Sequence, residues 1–99
     1  MGDEFVNIMN FEWDENKRVS NIKKHKLDFA DALYVFQDIK SVSIFDDRED
    51  YGEERYIIIG MDNKSSVCFV SYTIRYENTA RILSFRAATK KEKEIYYGN

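Results

Sequence analysis

Two hydrophobic periods divide this chain. Up to Lys40 the apolar residues recur at helical spacing, and from Val42 onward at strand spacing. Phe29, Ala32, Leu33 and Phe36 stand at i, i+3, i+4 and i+7, one face of a helix, with Asp28 placed to cap its first turn. Ahead of them, Asp14 is a candidate N-cap for a helix from Glu15 to about Lys24. Its acid lies in the first turn and its lysines toward the C-terminal end, as the helix dipole favours. The apolar face of that helix is thin, Val19 and Ile22 only, so it is either mostly solvated or mostly used. The short link His25-Lys26-Leu27 predicts a helical hairpin. The preceding FEWD, Phe11 to Asp14, reads as a short extended piece anchored by Phe11 and Trp13.

The second half is rich in β-branched and aromatic residues: SVSIF, RYIIIGM, VCFVSYTI and ARILSFR. Asp62-Asn63-Lys64-Ser65 and Tyr76-Glu77-Asn78-Thr79 are short, polar links that make the last three strands antiparallel neighbours. Thr89-Lys-Lys-Glu92 then matches a capping box and opens a helix ended by Gly98. The expected fold is α+β: two N-terminal helices, a four-stranded antiparallel sheet and a C-terminal helix, with the helices segregated onto one face of the sheet. Residues 11–99 form the single domain. Residues 1–10 are expected to be a flexible N-terminal extension, Met9 resembling a second start.

Composition adds limits. A chain of 99 residues closes one modest core, and 43% apolar residues with seven Tyr and seven Phe suffice to fill it. One cysteine, Cys68, excludes an internal disulfide, and with one histidine there is no zinc-ligand set. Cys68 reads as a buried apolar residue. No apolar run approaches a membrane span, and the opening residues are too short and acidic for an export signal, so cytoplasmic residence is expected. The charge is segregated rather than merely negative at -3. Lys17 to Lys26 and Arg81 to Lys93 are basic, while Asp46 to Glu54 is acidic.

Phosphate recognition is the chemistry these residues serve best. Guanidinium donates two parallel hydrogen bonds, and Arg55, Arg75, Arg81 and Arg86 lie in or at the ends of predicted strands. In RNA cleavage the substrate's 2′-hydroxyl can be the nucleophile, so the protein need only move protons and hold the charge of the phosphorane. Proton-transfer candidates are His25, Glu53 or Glu54, and Tyr72. Each also has a structural reading: helix cap for His25, ion-pair partner for Glu54, core aromatic for Tyr72. The acidic loop lacks calcium-loop spacing, and no glycine-rich phosphate loop occurs.

Five stretches, in order, carry a resemblance: FEWDENK, NIKKHKLDFADALYVFQD, GEERYIIIG, SYTIR and RILSFRAATKKEKEIYY. From about Phe11 to Tyr97 the chain resembles the BrnT family of ribonuclease toxins of type II toxin–antitoxin systems. The resemblance implies a RelE-like fold, RNA cleavage that halts translation, and no cofactor. It also implies a BrnA-like antitoxin that joins the toxin in a heterotetramer and contacts DNA on its behalf. Matching positions are Trp13, Asp14, Lys17, His25, Glu54, Arg55, Tyr72, Arg75, Arg81, Arg86 and Glu92. The chemistry above puts Arg75 and Arg86 on the phosphate with Arg55 in support, and His25 or Glu54 on the protons. Lys17, Arg81, Tyr72 and Lys90 are expected RNA contacts. Lys26 stands where the family usually has glycine. The competing expectation is a non-catalytic module that docks an antitoxin.

Overall fold

The computed structural model describes residues 8–98. The expected extension therefore lies outside the described residues over positions 1–7, while Met9 and Asn10 already hydrogen-bond to the backbone carbonyl of Asn78. The elements are β1 (Asn10–Glu12), α1 (Glu15–His25), a 3-10 helix (Phe29–Ala32), α2 (Leu33–Gln37), β2 (Val42–Asp46), β3 (Arg55–Met61), β4 (Val67–Arg75), β5 (Thr79–Ala87) and α3 (Lys90–Tyr97). No described helix is long and apolar enough to cross a membrane.

The class is α+β as expected, but the sheet differs in two respects. It has five strands in the order β1-β5-β4-β3-β2, and it is mixed: β1 runs parallel to β5, pairing Phe11 with Ala80. The extended FEWD piece is thus a strand whose partner lies far along the chain, a pairing that local periodicity does not encode. The expected second helix begins as a 3-10 turn before becoming α-helical. Its fully buried residues, Phe29, Ala32 and Val35, are spaced by three, the period of that tighter helix.

The helices also do not share one face. Ile58, Cys68, Val70, Ala80, Ile82 and Phe85 pack with the buried side of the 3-10 helix and α2. The opposite sheet face presents Ile57, Ile59, Val67 and Phe69, and α3 covers these with Tyr96. The Tyr96 hydroxyl donates to Asp38 at 2.6 Å, and Asp38 also accepts from the Met61 and Lys40 amides. Burial opposes ionisation of Asp38, but these three donors outweigh it and hold its carboxyl below the usual range, while the Asp38 bond pushes Tyr96 up to about 12.

Helix α1 is docked by a polar residue. The Asn21 amide donates to Phe85 O (2.8 Å) and Leu27 O (3.0 Å), and its Oδ1 accepts from Phe85 N (3.2 Å). β1 pairs only with residues Thr79 to Arg81 of β5. Beyond that point the Asn21 side chain supplies the backbone partners that a neighbouring strand would supply. This explains how a helix with almost no apolar face is held.

α1 ends on Lys26, whose φ of 63° is left-handed and whose N–H donates to Ile22 O. A lysine there carries Cβ strain that glycine does not. Lys26→Gly should raise stability by about 1 kcal/mol in denaturant unfolding; an unchanged or lowered midpoint would contradict the assigned backbone.

Candidate functional site

Strand register decides which of the expected residues can meet. On β4, Phe69, Thr73 and Arg75 alternate onto the face that α3 partly covers. Their β5 neighbours are Arg86 opposite Phe69 and Arg81 opposite Thr73, with the register slipping one residue at Leu83. On β3 the residue beside Asp46 is Arg55, on the same face as Ile57 and Ile59 by alternation. All four strand arginines therefore share one sheet face. Along the strand, however, Phe69 and Arg75 are six residues apart, so Arg86 and Arg75 are separated by about 20 Å.

The expected catalytic set thus divides into two groups. Glu54, Arg55 and Arg75 lie at one end, with Arg81 nearby. Thr73 Oγ1 donates to Glu54 O at 2.7 Å, and Glu53 accepts from both Arg55 (3.3 Å) and Arg75 (3.5 Å). Arg55 also lies over the Tyr51 ring at 4.2 Å. Glu54 itself is exposed and accepts from the Tyr56 hydroxyl at 3.3 Å. Arg81 is bound to Glu12 of β1 at 2.8 Å.

Arg86 and His25 form the other group. Arg86 Nη1 and Nη2 donate to the two carboxylate oxygens of Glu92 at 2.8 and 2.9 Å. Its guanidinium lies over the Phe69 ring, Cζ 3.8 Å from the centroid. Glu92 does two jobs: Oε1 also accepts from Thr89 N (2.9 Å), while Glu92 N donates to Thr89 Oγ1 (3.2 Å), closing the capping box of α3. Partial burial opposes ionisation of Glu92, yet the Arg86 and Thr89 donors hold its carboxyl below the usual range. His25 ends α1 close enough to Arg86 to feel its charge. Desolvation, then Lys24, then Arg86 lower the imidazole pKa below its ordinary 6.5. His25 is consequently neutral near pH 7, which suits a proton acceptor rather than the acid role that a basic helix end suggests.

One expected contact is displaced. Tyr72 is 6% exposed and packs with Phe36 and Tyr56 on the helix-covered side of the sheet, so it is a core residue and cannot touch RNA here. Lys90 is exposed in the first turn of α3, and Lys17 is exposed on α1. Cys68 is buried and its thiol is pushed up to about 12, chiefly by desolvation. Among the described residues, no three or more of His, Cys, Asp and Glu are grouped to hold a metal ion.

Three residues were not singled out from sequence. Phe69, the platform for Arg86, is visible only once register is known. Asn21 gives no signal, being polar on a polar helix. Lys24 shares a helix face with Lys17 and His25, and that spacing was readable.

A sequence model described as "Ribonuclease toxin, BrnT, of type II toxin-antitoxin system" matches residues 13–92. A crystal structure of the Brucella abortus ribonuclease toxin BrnT is similar, with 27% identity and a TM-score of 0.62; the alignment covers 83% of this chain and 99% of that one. A search of curated proteins by sequence matched none.

Glu92 carries both the cap and the arginine, and two substitutions separate these roles. Glu92→Gln keeps an amide oxygen for the cap and should cost less than Glu92→Ala, which should lose about 1–3 kcal/mol. Equal losses in thermal unfolding would show that only the charge pair with Arg86 matters.

Proposed function

We propose that this chain, which belongs to the BrnT family of ribonuclease toxins of type II toxin–antitoxin systems, cleaves RNA at the junction of α1, β5 and α3. The observation that carries the reading is the pairing of a fixed guanidinium with a neutral imidazole: Arg86 held by Glu92 and Phe69, beside His25 with its lowered pKa. His25 accepts the proton of the substrate's 2′-hydroxyl, whose oxygen attacks the adjacent phosphorus. Arg86 stabilises the charge that builds on the non-bridging oxygens. The 5′-oxygen leaves with a proton from solvent or from the imidazolium just formed, and a 2′,3′-cyclic phosphate remains. Charge stabilisation comes from a side chain and the nucleophile from the substrate, so the sequence needs no metal. Arg55, Arg75 and Glu54, about 13 Å or more away along the strands, contact RNA beyond the scissile phosphate or another partner. In the cytoplasm such cleavage would inhibit translation, and a BrnA-like protein antitoxin, assembled with the toxin as a heterotetramer, would hold it in check and bring the DNA contact.

One observation favours a second reading. Each of Arg55, Arg75, Arg81 and Arg86 already has a carboxylate partner, as in a surface built to dock protein rather than to bind phosphate. RNA incubated with purified protein in EDTA distinguishes the two. Cleavage to cyclic-phosphate ends, lowered at least a hundredfold by Arg86→Ala and under tenfold by Arg75→Ala, supports the ribonuclease. A tight complex with a small partner protein, without cleavage at any dose, supports the docking module.

The imidazole makes a pH prediction. A base must be unprotonated, so cleavage should rise with pH through a midpoint below 6.5 and then level off. Lys24→Gln removes one of the charges that depress His25 and should move that midpoint upward. A midpoint that Lys24→Gln leaves in place, or a limb that survives His25→Gln, would remove His25 from the mechanism.

A further inference from the structure

The strand arginines are internally neutralised, whereas the lysines of α1 are not: among the described residues, Lys17 and Lys24 make no ion pair. Both line a shallow groove between α1 and the part of β5 that β1 leaves uncovered, together with Ser20, His25, Leu83 and Ser84. Lys17, Ser20, Lys24 and His25 fall at i, i+3, i+7 and i+8, a single stripe of the helix. Lys17 and Lys24 stand about 10 Å apart along its axis, far enough to engage different phosphates. Leu83, the extra residue at the irregularity opposite Ser71 and Tyr72, lies in the wall, so the break in the ladder shapes the groove itself.

We propose that this α1–β5 groove is the track along which single-stranded RNA enters, Lys17 and Lys24 holding successive parts of the backbone and leading it to His25 and Arg86. The inference rests on the ribonuclease reading and specifies the substrate path to that site. Several features of the groove fit a polyanion. Its cations are compact ammonium groups with no carboxylate partner among the described residues, Ser20 and Ser84 offer hydroxyl donors to phosphate oxygens, and the stripe ends on the proposed base. The Asn21 amide is spent on Phe85 and Leu27, so it positions the helix and does not bind RNA. The track differs from the far end of the four-arginine face, where an incoming phosphate must displace Glu53 or Glu12.

Counterion release measures the contact directly. For single strands, each phosphate neutralised contributes about 0.7 to the slope of log K against log salt. Binding is measured by fluorescence anisotropy with a 2′-O-methyl RNA oligonucleotide, which cannot supply the internal nucleophile, so affinity is separated from cleavage. Lys17→Gln with Lys24→Gln should reduce the slope by about 1.4, while Lys64→Gln, in the β3–β4 turn, should leave it unchanged. Lys17→Arg with Lys24→Arg should retain the slope, showing that the glutamine variant has lost charge and not its fold. An unchanged slope in the glutamine variant overturns the track even if ordinary RNA is still cleaved. A reduced slope supports the track even if ordinary RNA is left intact, a result that would instead remove the ribonuclease reading.

Discussion

Everything around the proposed centre depends on the bidentate ion pair between Arg86 and Glu92. It joins the end of β5 to the first turn of α3 across the turn at Ala87 to Thr89. Because the same carboxylate completes the capping box, the direction in which α3 leaves the sheet and the direction in which Arg86 points are one constraint. Phe69 supplies the third contact, its ring beneath the Arg86 Cζ. An arginine held on its edge and its face loses little further freedom on meeting a phosphate, which is the general advantage of a preorganised donor. α3 is then secured at its far end by Tyr96 and Asp38, so the turn that carries the pair is tethered on both sides.

Charge distribution separates two surfaces that composition would merge. A net charge of -3 describes the whole chain, but the acids are placed to neutralise particular arginines. Glu53 serves two of them, while Asp46 turns inward: 4% exposed, it is bonded by Arg48, whose contacts hold its carboxyl at about 2. The α1 lysines are left outside this pairing among the described residues. An overall negative protein therefore retains a local cationic groove, which is where a polyanion would be steered.

Legibility from sequence followed the range of the interactions. Helix starts at Asp14 and Thr89, strands β3 to β5 and both hairpin links were readable because caps, turns and period-two alternation are local. The parallel pairing of β1 with β5, the placing of α3 on the opposite face and the core position of Tyr72 depend on residues far apart in the chain. Arg86 was legible as a candidate phosphate ligand by residue type and strand-end position. Its separation from Arg75 was not, because it is fixed by register, and a slip at Leu83 is invisible to periodicity. Asn21 shows the limit most clearly: a residue that anchors a helix through backbone mimicry has no hydrophobic signature.

The central claim is that His25 and Arg86, and not the Glu54–Arg55–Arg75 group, face the scissile phosphate. NMR titration reads both groups at once, using the His25 imidazole and the arginine Nε–H signals, with an RNA carrying one 2′-deoxy nucleotide at the cleavage position. His25 and Arg86 should shift together at saturation, with Arg55 and Arg75 moving much less. Shifts confined to Arg55 and Arg75, with His25 and Arg86 unmoved, would contradict the claim.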